Sequence, residues 1–276
     1  MTANAAIAEP VPSPLPAPLS APSSAPLPAP LRARLQQFPL RRVATPFGQV
    51  AYRHSGAAAQ ATHVLLRGIG FSPANWLAQL ELAVLNPVFC LLAWDAPGYG
   101  SSDALPLNSP TAADYAQRLW AWPDAVEALS IQGPTSGAAS HAAIASASAT
   151  VAARLTLLGH SLRCLMAASA AKHSPHRVKR LILLAPAQGY ALAPAAVRAK
   201  KLQDRLDSLA RLGPAGVAQA RGAAMLSPSA STDQVAFVCA VEAADDVTRL
   251  LGLAGPAAVS LASAAPSAMA TTKVAA

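Results

Sequence analysis

The segment Gly159-His160-Ser161-Leu162 is where residue types and spacing in this sequence could do chemistry. Leu155 to Leu158 before it are mostly apolar and predict the end of a buried strand, and Cys164 to Ala171 after it predict a small-residue helix. A tight corner between strand and helix lifts a serine hydroxyl above the sheet edge. It also aims the first N–H groups of the helix at whatever negative charge develops there. The chemistry would be nucleophilic attack on an acyl carbon, passing through a covalent intermediate. A serine after a strand also serves as an ordinary helix N-cap, so the corner takes its meaning from the elements around it.

Those elements are set out by the order of apolar runs. Pro39 to Ala44 and Gln49 to Arg53 predict short antiparallel strands about a Thr45-Pro46-Phe47-Gly48 turn. His63 to Gly70 predicts a buried strand running into glycines. Ala74 to Leu85 predicts an amphipathic helix with Trp76, Leu77, Leu80 and Val84 on one face. Val88 to Asp95 is the next strand, with Ala96-Pro97-Gly98-Tyr99-Gly100 directly after it. Thr111 to Leu129 predicts a helix capped by Ser109 or Thr111, which Pro123 should kink or split. Beyond the Ser161 corner, Val178 to Pro186 is a further buried strand, and Ala195 to Leu212 and Pro214 to Met225 predict helices broken at Gly213-Pro214. Strands alternating with helices predict a mostly parallel sheet covered on both faces, the α/β class.

Composition narrows the function classes. The 276 residues, 53% of them hydrophobic, suffice for one large α/β domain or a domain with tails, although much of the apolar content is alanine. The net charge of +8 is spread along the chain without massed aromatics, so no nucleic-acid surface is expected. Cys90, Cys164 and Cys239 are odd in number and far apart, which predicts core residues and neither a disulfide framework nor a metal site. Nine prolines within the first thirty positions break any signal-peptide core, and no apolar run reaches membrane length. A cytoplasmic protein with no membrane partner and no cofactor is the expectation.

Taken together, His63 to Gly70, Trp94 to Gly100, Gly159 to Ser161 and Leu181 to Pro186 resemble the α/β-hydrolase family, most closely its esterase and enol-lactone hydrolase branch. The resemblance covers roughly residues 40–250. It implies a mostly parallel sheet with helices on both faces and a helical cap over the pocket. It also implies Ser161 as nucleophile, an oxyanion hole from the backbone N–H groups of Ile69 and Leu162, and Asp95 as an organiser of its loop. Two positions depart from the family pattern. Arg67 stands where the family usually has histidine, either as a solvent-reaching side chain or as a pocket cation for a carboxylate. Arg163 replaces the second glycine of the corner, where any Cβ crowds the start of the helix. It must swing into the site mouth, bury its charge or snorkel out.

Family triads run in the chain order serine, acid, histidine, yet no histidine comes after His176. His54, His63, His141, His173 and His176 are all expected at the end of the sheet opposite Ser161, because chemistry gathers at the C-terminal ends of parallel strands. His160 adjoins the serine and cannot easily face its hydroxyl. The triad acid and base are therefore expected to be absent. After the cap the resemblance implies two more strands and a closing helix, but Gly252 to Ala276 is Ala/Ser/Pro-rich. The last strands are accordingly expected to be lacking, as in a C-terminally truncated copy.

The expected organisation is a disordered Pro/Ala-rich leader over residues 1–34 and a hydrolase core over 35–189 with a low-complexity insertion at 130–153. A helical cap at 190–251 and a disordered tail at 252–276 complete it. Two functions stay open. One is a serine hydrolase acting on a small-molecule carboxylic ester or lactone, impaired by its missing base. The other is a non-catalytic hydrolase-like protein, either a truncated copy or a capped-pocket binding scaffold. Substrate and oligomeric state are not legible.

Overall fold

A computed structural model describes residues 27–56, 60–68, 72–107, 110–132, 154–187 and 193–243. Six strands form one mixed sheet in the order β1-β2-β4-β3-β5-β6. β1 (Arg41–Thr45) and β2 (Gly48–Gly56) make the antiparallel hairpin that the sequence predicts. Its turn is closed by Thr45, whose Oγ1 accepts from the Phe47 N–H at 3.1 Å and donates to the Gly48 carbonyl at 2.7 Å. β2 is antiparallel to β4 (Cys90–Trp94), and β4, β3 (His63–Leu66), β5 (Leu155–His160) and β6 (Val178–Leu184) run parallel.

Helices cover both faces, as the buried strands β3, β4 and β5 require. β6, expected to be buried, is largely exposed, because no further strand pairs with it among the described residues. On one side α3 (Ala112–Gln132) and α4 (Arg163–His173) pack a cluster built on Val64, Leu66, Leu92, Leu119, Trp122 and Leu157. On the other, α1 (Ala29–Gln36) and α2 (Leu77–Val84) close over Leu65, Trp76, Leu80, Leu91 and Ala93. The chain continues into α5 (Ala195–Gly222), interrupted at Gly213, whose φ of 63° is not helical, and α6 (Thr232–Ala243). The break falls where Gly213-Pro214 predicts it. Phe237 of α6 reaches the second cluster, so this helix pair packs beside the 3₁₀ turn Pro73–Trp76.

Several expectations are corrected. The leader expected to be disordered through residue 34 is helical from Ala29, because Leu31 and Leu35 dock on the second cluster and Arg34 makes a two-pronged ion pair with Glu81 at 2.7 Å. The helix expected from Ala74 begins as a 3₁₀ turn capped reciprocally by Ser72 and Asn75. Three residues per turn instead of 3.6 rotates the α2 residues about the helix axis, so Ala83 is buried and Val84, expected inside, is 62% exposed. Pro123 does not split α3. Thr111 and Asp114 cap the helix reciprocally, and Leu119, Trp120, Trp122 and Ala125 anchor it across the lost hydrogen bond, so it runs on to Gln132, into the expected insertion. The rest of that insertion, the tail and most of the leader lie outside the described residues.

Candidate active site

Ser161 leaves the C-terminal end of β5 with φ of 54°, in the left-handed region that non-glycine residues rarely adopt. Two backbone hydrogen bonds hold it there: its N–H donates to the Leu184 carbonyl at 3.0 Å, and its carbonyl accepts from the Ala187 N–H at 3.3 Å. Gly159 makes the corner possible, since a Cβ there would come within 2.9 Å of the Arg163 carbonyl oxygen and of the Cys164 Cα. The helix can therefore start directly over the strand, and the Cys164 thiol closes the corner by donating to the Gly159 carbonyl at 3.1 Å. Leu162 is the N-cap of α4 with φ of −57° and ψ of −33°. Its N–H belongs to the start of the helix, where backbone donors lack an intrahelical acceptor.

The loop after β3 comes up against this corner. A Cβ on Gly68 would lie 2.8 Å from the Ser161 Cβ and 3.3 Å from its Oγ, so only a glycine lets the two backbones approach so closely. Ile69, expected to share the oxyanion hole, lies outside the described residues. Arg67 stacks its guanidinium 5.3 Å from the Trp76 ring and is half-buried, not extended into solvent; burial pulls its pKa down to about 10. His160 packs beside Gly68, and burial, helped by the Arg67 charge, holds its imidazole below the ordinary histidine range. The corner is thus flanked by one cation and one neutral ring.

Arg163 takes the buried course. It is 1% exposed, with its guanidinium over the Tyr99 ring at 4.3 Å and the Tyr115 ring at 5.7 Å, and its Nη1 donates to the Met166 sulfur at 3.2 Å. The side chain packs into the cluster on the α3 face of the sheet. The two tyrosines were not anticipated from sequence; Tyr99 in the Pro97-Gly98-Tyr99-Gly100 segment was the available signal. Asp95 is buried behind the same loop, accepting from the Ser101 N–H at 3.2 Å, while its backbone carbonyl accepts from Ser102. Burial raises its pKa to about 6, opposed by that hydrogen bond and by the charges of Arg53, Arg163 and Arg42. Its carboxyl organises the loop.

Of the described histidines, His160 adjoins Ser161 and the other four stand elsewhere on the fold. His63 opens β3, His173 ends α4, His176 lies in the turn before β6, and His54 is bonded to Cys90 at the start of β4. His141 lies outside the described residues. The three cysteines form no disulfide, and among the described residues no three His, Cys, Asp or Glu side chains cluster to hold a metal ion. Nor is any helix there long and apolar enough to cross a membrane.

A family model for serine hydrolases matches residues 97–254, which include the Ser161 corner. Among solved structures, the chain is similar to a hydrolase from Pseudomonas aeruginosa, with 26% identity, 80% of this chain and 72% of that one covered, and a TM-score of 0.55. A carboxylesterase from Bacillus subtilis is 20% identical, covering 78% of this chain and 65% of its own, with a TM-score of 0.51. A carboxylesterase from Nitrososphaera gargenis is 16% identical over 80% and 72%, with a TM-score of 0.57. At the last two identities the likeness is one of fold. No curated protein matches the chain.

Proposed function

The chain belongs to the serine hydrolase family and has the α/β-hydrolase fold, and from that premise we propose that Ser161 is an acyl-accepting nucleophile for a small carboxylic ester or lactone, turning over slowly for want of a base. The observation that carries this is the φ of 54° at Ser161, on a strand-to-helix corner hydrogen-bonded to the last residue of β6 and to Ala187 beyond it. Strain of this kind costs about 1–3 kcal/mol and persists where the surrounding structure imposes it, most often at functional sites.

In the proposed reaction the Ser161 oxygen attacks the carbonyl carbon and its proton leaves to water. The oxyanion is taken up by the N–H of Leu162 and, by resemblance, that of Ile69. The alkoxide or lactone oxygen departs with a proton, and water then releases the carboxylate from the acyl-serine. In this scheme Arg67 draws an anionic or strongly polarised acyl group toward the corner, and the α5–α6 pair forms the cap above it. Removing the base from a serine triad lowers kcat by about 10⁶ and leaves about 10³–10⁴ over water, from the oxyanion hole and binding. A fluorophosphonate probe is expected to label the native protein slowly and Ser161→Ala not at all, with p-nitrophenyl acetate hydrolysed near background by both. Equal labelling of the two proteins would remove Ser161 from the chemistry. Saturable turnover at about 1 s⁻¹ or faster, lost in Ser161→Ala, would mean that a base reaches it.

The second function, a binding scaffold with no chemistry, is favoured by one observation: apart from His160, which adjoins the serine, the described histidines stand at the other end of the sheet. Absence of fluorophosphonate labelling, with the fold intact, would decide for it.

A further inference from the structure

A cavity of about 650 Å³ lies on the α3 face of β1, β2 and β4. It opens toward the start of β4, whereas Ser161 stands past the end of β5, with β3 between them. Strand register explains its floor. Arg41 stands opposite Tyr52, His54 opposite Leu92 and Gly56 opposite Cys90, so these side chains share one face of the sheet. The C-terminal half of α3 supplies the facing wall through Val126, Glu127 and Leu129.

The polar groups of the floor are neutral or cationic. His54 Nε2 meets Cys90 Sγ at 3.3 Å. Burial raises the Tyr52 and Cys90 pKa values, with Arg41 opposing, and both burial and Arg41 lower that of His54. All three therefore stay uncharged near neutrality, while Arg41 and Arg42 both line the cavity. Arg41 has no ion-pair partner among the described residues. Across the cavity the Glu127 carboxylate already accepts from the Gln60 side chain at 2.7 Å, and Val126 and Leu129 supply apolar surface beside Ser130. Two arginines at the rim of a chamber of this size, with apolar surface on its α3 side, suit a small amphipathic anion.

We propose that this cavity binds a monocarboxylate with a medium-length apolar chain, its carboxylate on Arg41 and its chain against Val126 and Leu129. The site is separate from Ser161 and does not depend on that serine's chemistry. Calorimetric titration with sodium octanoate is expected to give saturable one-to-one binding, at least about tenfold tighter than octan-1-ol. Arg41→Gln should weaken octanoate by at least about tenfold, the equivalent of one charge-assisted hydrogen bond, and leave octan-1-ol unchanged. Arg41 is exposed, so this variant is expected to keep the native melting temperature. Leu129→Glu, at a half-exposed position, should also weaken octanoate by setting a like charge beside the chain. Ser161→Ala should bind octanoate as the native protein does. Binding lost in Ser161→Ala would put the ligand at the other site and overturn the proposal. So would equal affinities for octanoate and octan-1-ol, or an Arg41→Gln variant that is folded and binds undiminished.

Discussion

Arg163 is held by rings instead of by a carboxylate in contact. Its charge lies over two tyrosines, with the Met166 sulfur as hydrogen-bond acceptor. A desolvated cation–π contact contributes up to about 2 kcal/mol, and truncating a large buried side chain leaves a cavity that costs more. Arg163→Ala is therefore expected to lower stability by about 2–4 kcal/mol, read from urea midpoints; a midpoint at or above native would mean that the charge is a net burden. A second residue-scale expectation concerns Asp95. Its folded pKa is about 6, against about 4 for an unfolded aspartate. Between those values the folded chain keeps a proton that the unfolded chain has released. The neutral carboxyl's contribution is thus complete below about pH 4 and is lost as pH rises through about 6. Asp95→Asn has no such titration, so its stability relative to native should grow by about 3 kcal/mol from pH 4 to 7. A difference independent of pH would mean that the carboxyl titrates as it does in water.

At the level of elements, the parallel strands and the Ser161 corner were legible because their apolar runs are bounded by glycine and proline. Helix phase and extent were less so. The 3₁₀ start at Pro73 shifts α2 by a fraction of a turn, and α1 exists through tertiary docking of Leu31 and Leu35, which no local pattern announces. β6 carries a different consequence. Among the described residues it is paired on one side alone, and Ile182, Leu183 and Leu184 are 37%, 40% and 41% exposed. An apolar strand with an open edge is a template for intermolecular pairing. Leu183→Lys is expected to slow the growth of light scattering at 37 °C several-fold without lowering the melting temperature. Unaltered scattering would place the sticky surface elsewhere, for instance at Leu82, Leu85 and Val88, which are also exposed.

For the molecule as a whole, what the sequence disclosed was the frame that carries a serine, and what it concealed was how side chains distant along the chain meet. Arg163 reads locally as a misfit at a glycine position, yet Tyr99 and Tyr115, 64 and 48 residues earlier, accommodate it. Likewise the pairing of His54 with Cys90 depends on the register of β2 against β4, which hydrophobic alternation does not determine.

The clamp on Ser161 also makes the serine a timekeeper for the sheet. Its amide proton is lodged against the Leu184 carbonyl, and the Ala187 amide is lodged against its own carbonyl. Neither proton can trade with solvent until the end of β6 lifts away, so one breathing motion should release both. Amide exchange tracked by NMR is then expected to give Ser161 and Ala187 a common protection factor, lower than that of Leu157 at the centre of the sheet. If Ser161 instead exchanges as slowly as Leu157, the corner outlasts the strand that pins it. Where the two amides do move together, the interval during which the left-handed serine can relax is set by the outermost strand and not by the pocket around the hydroxyl.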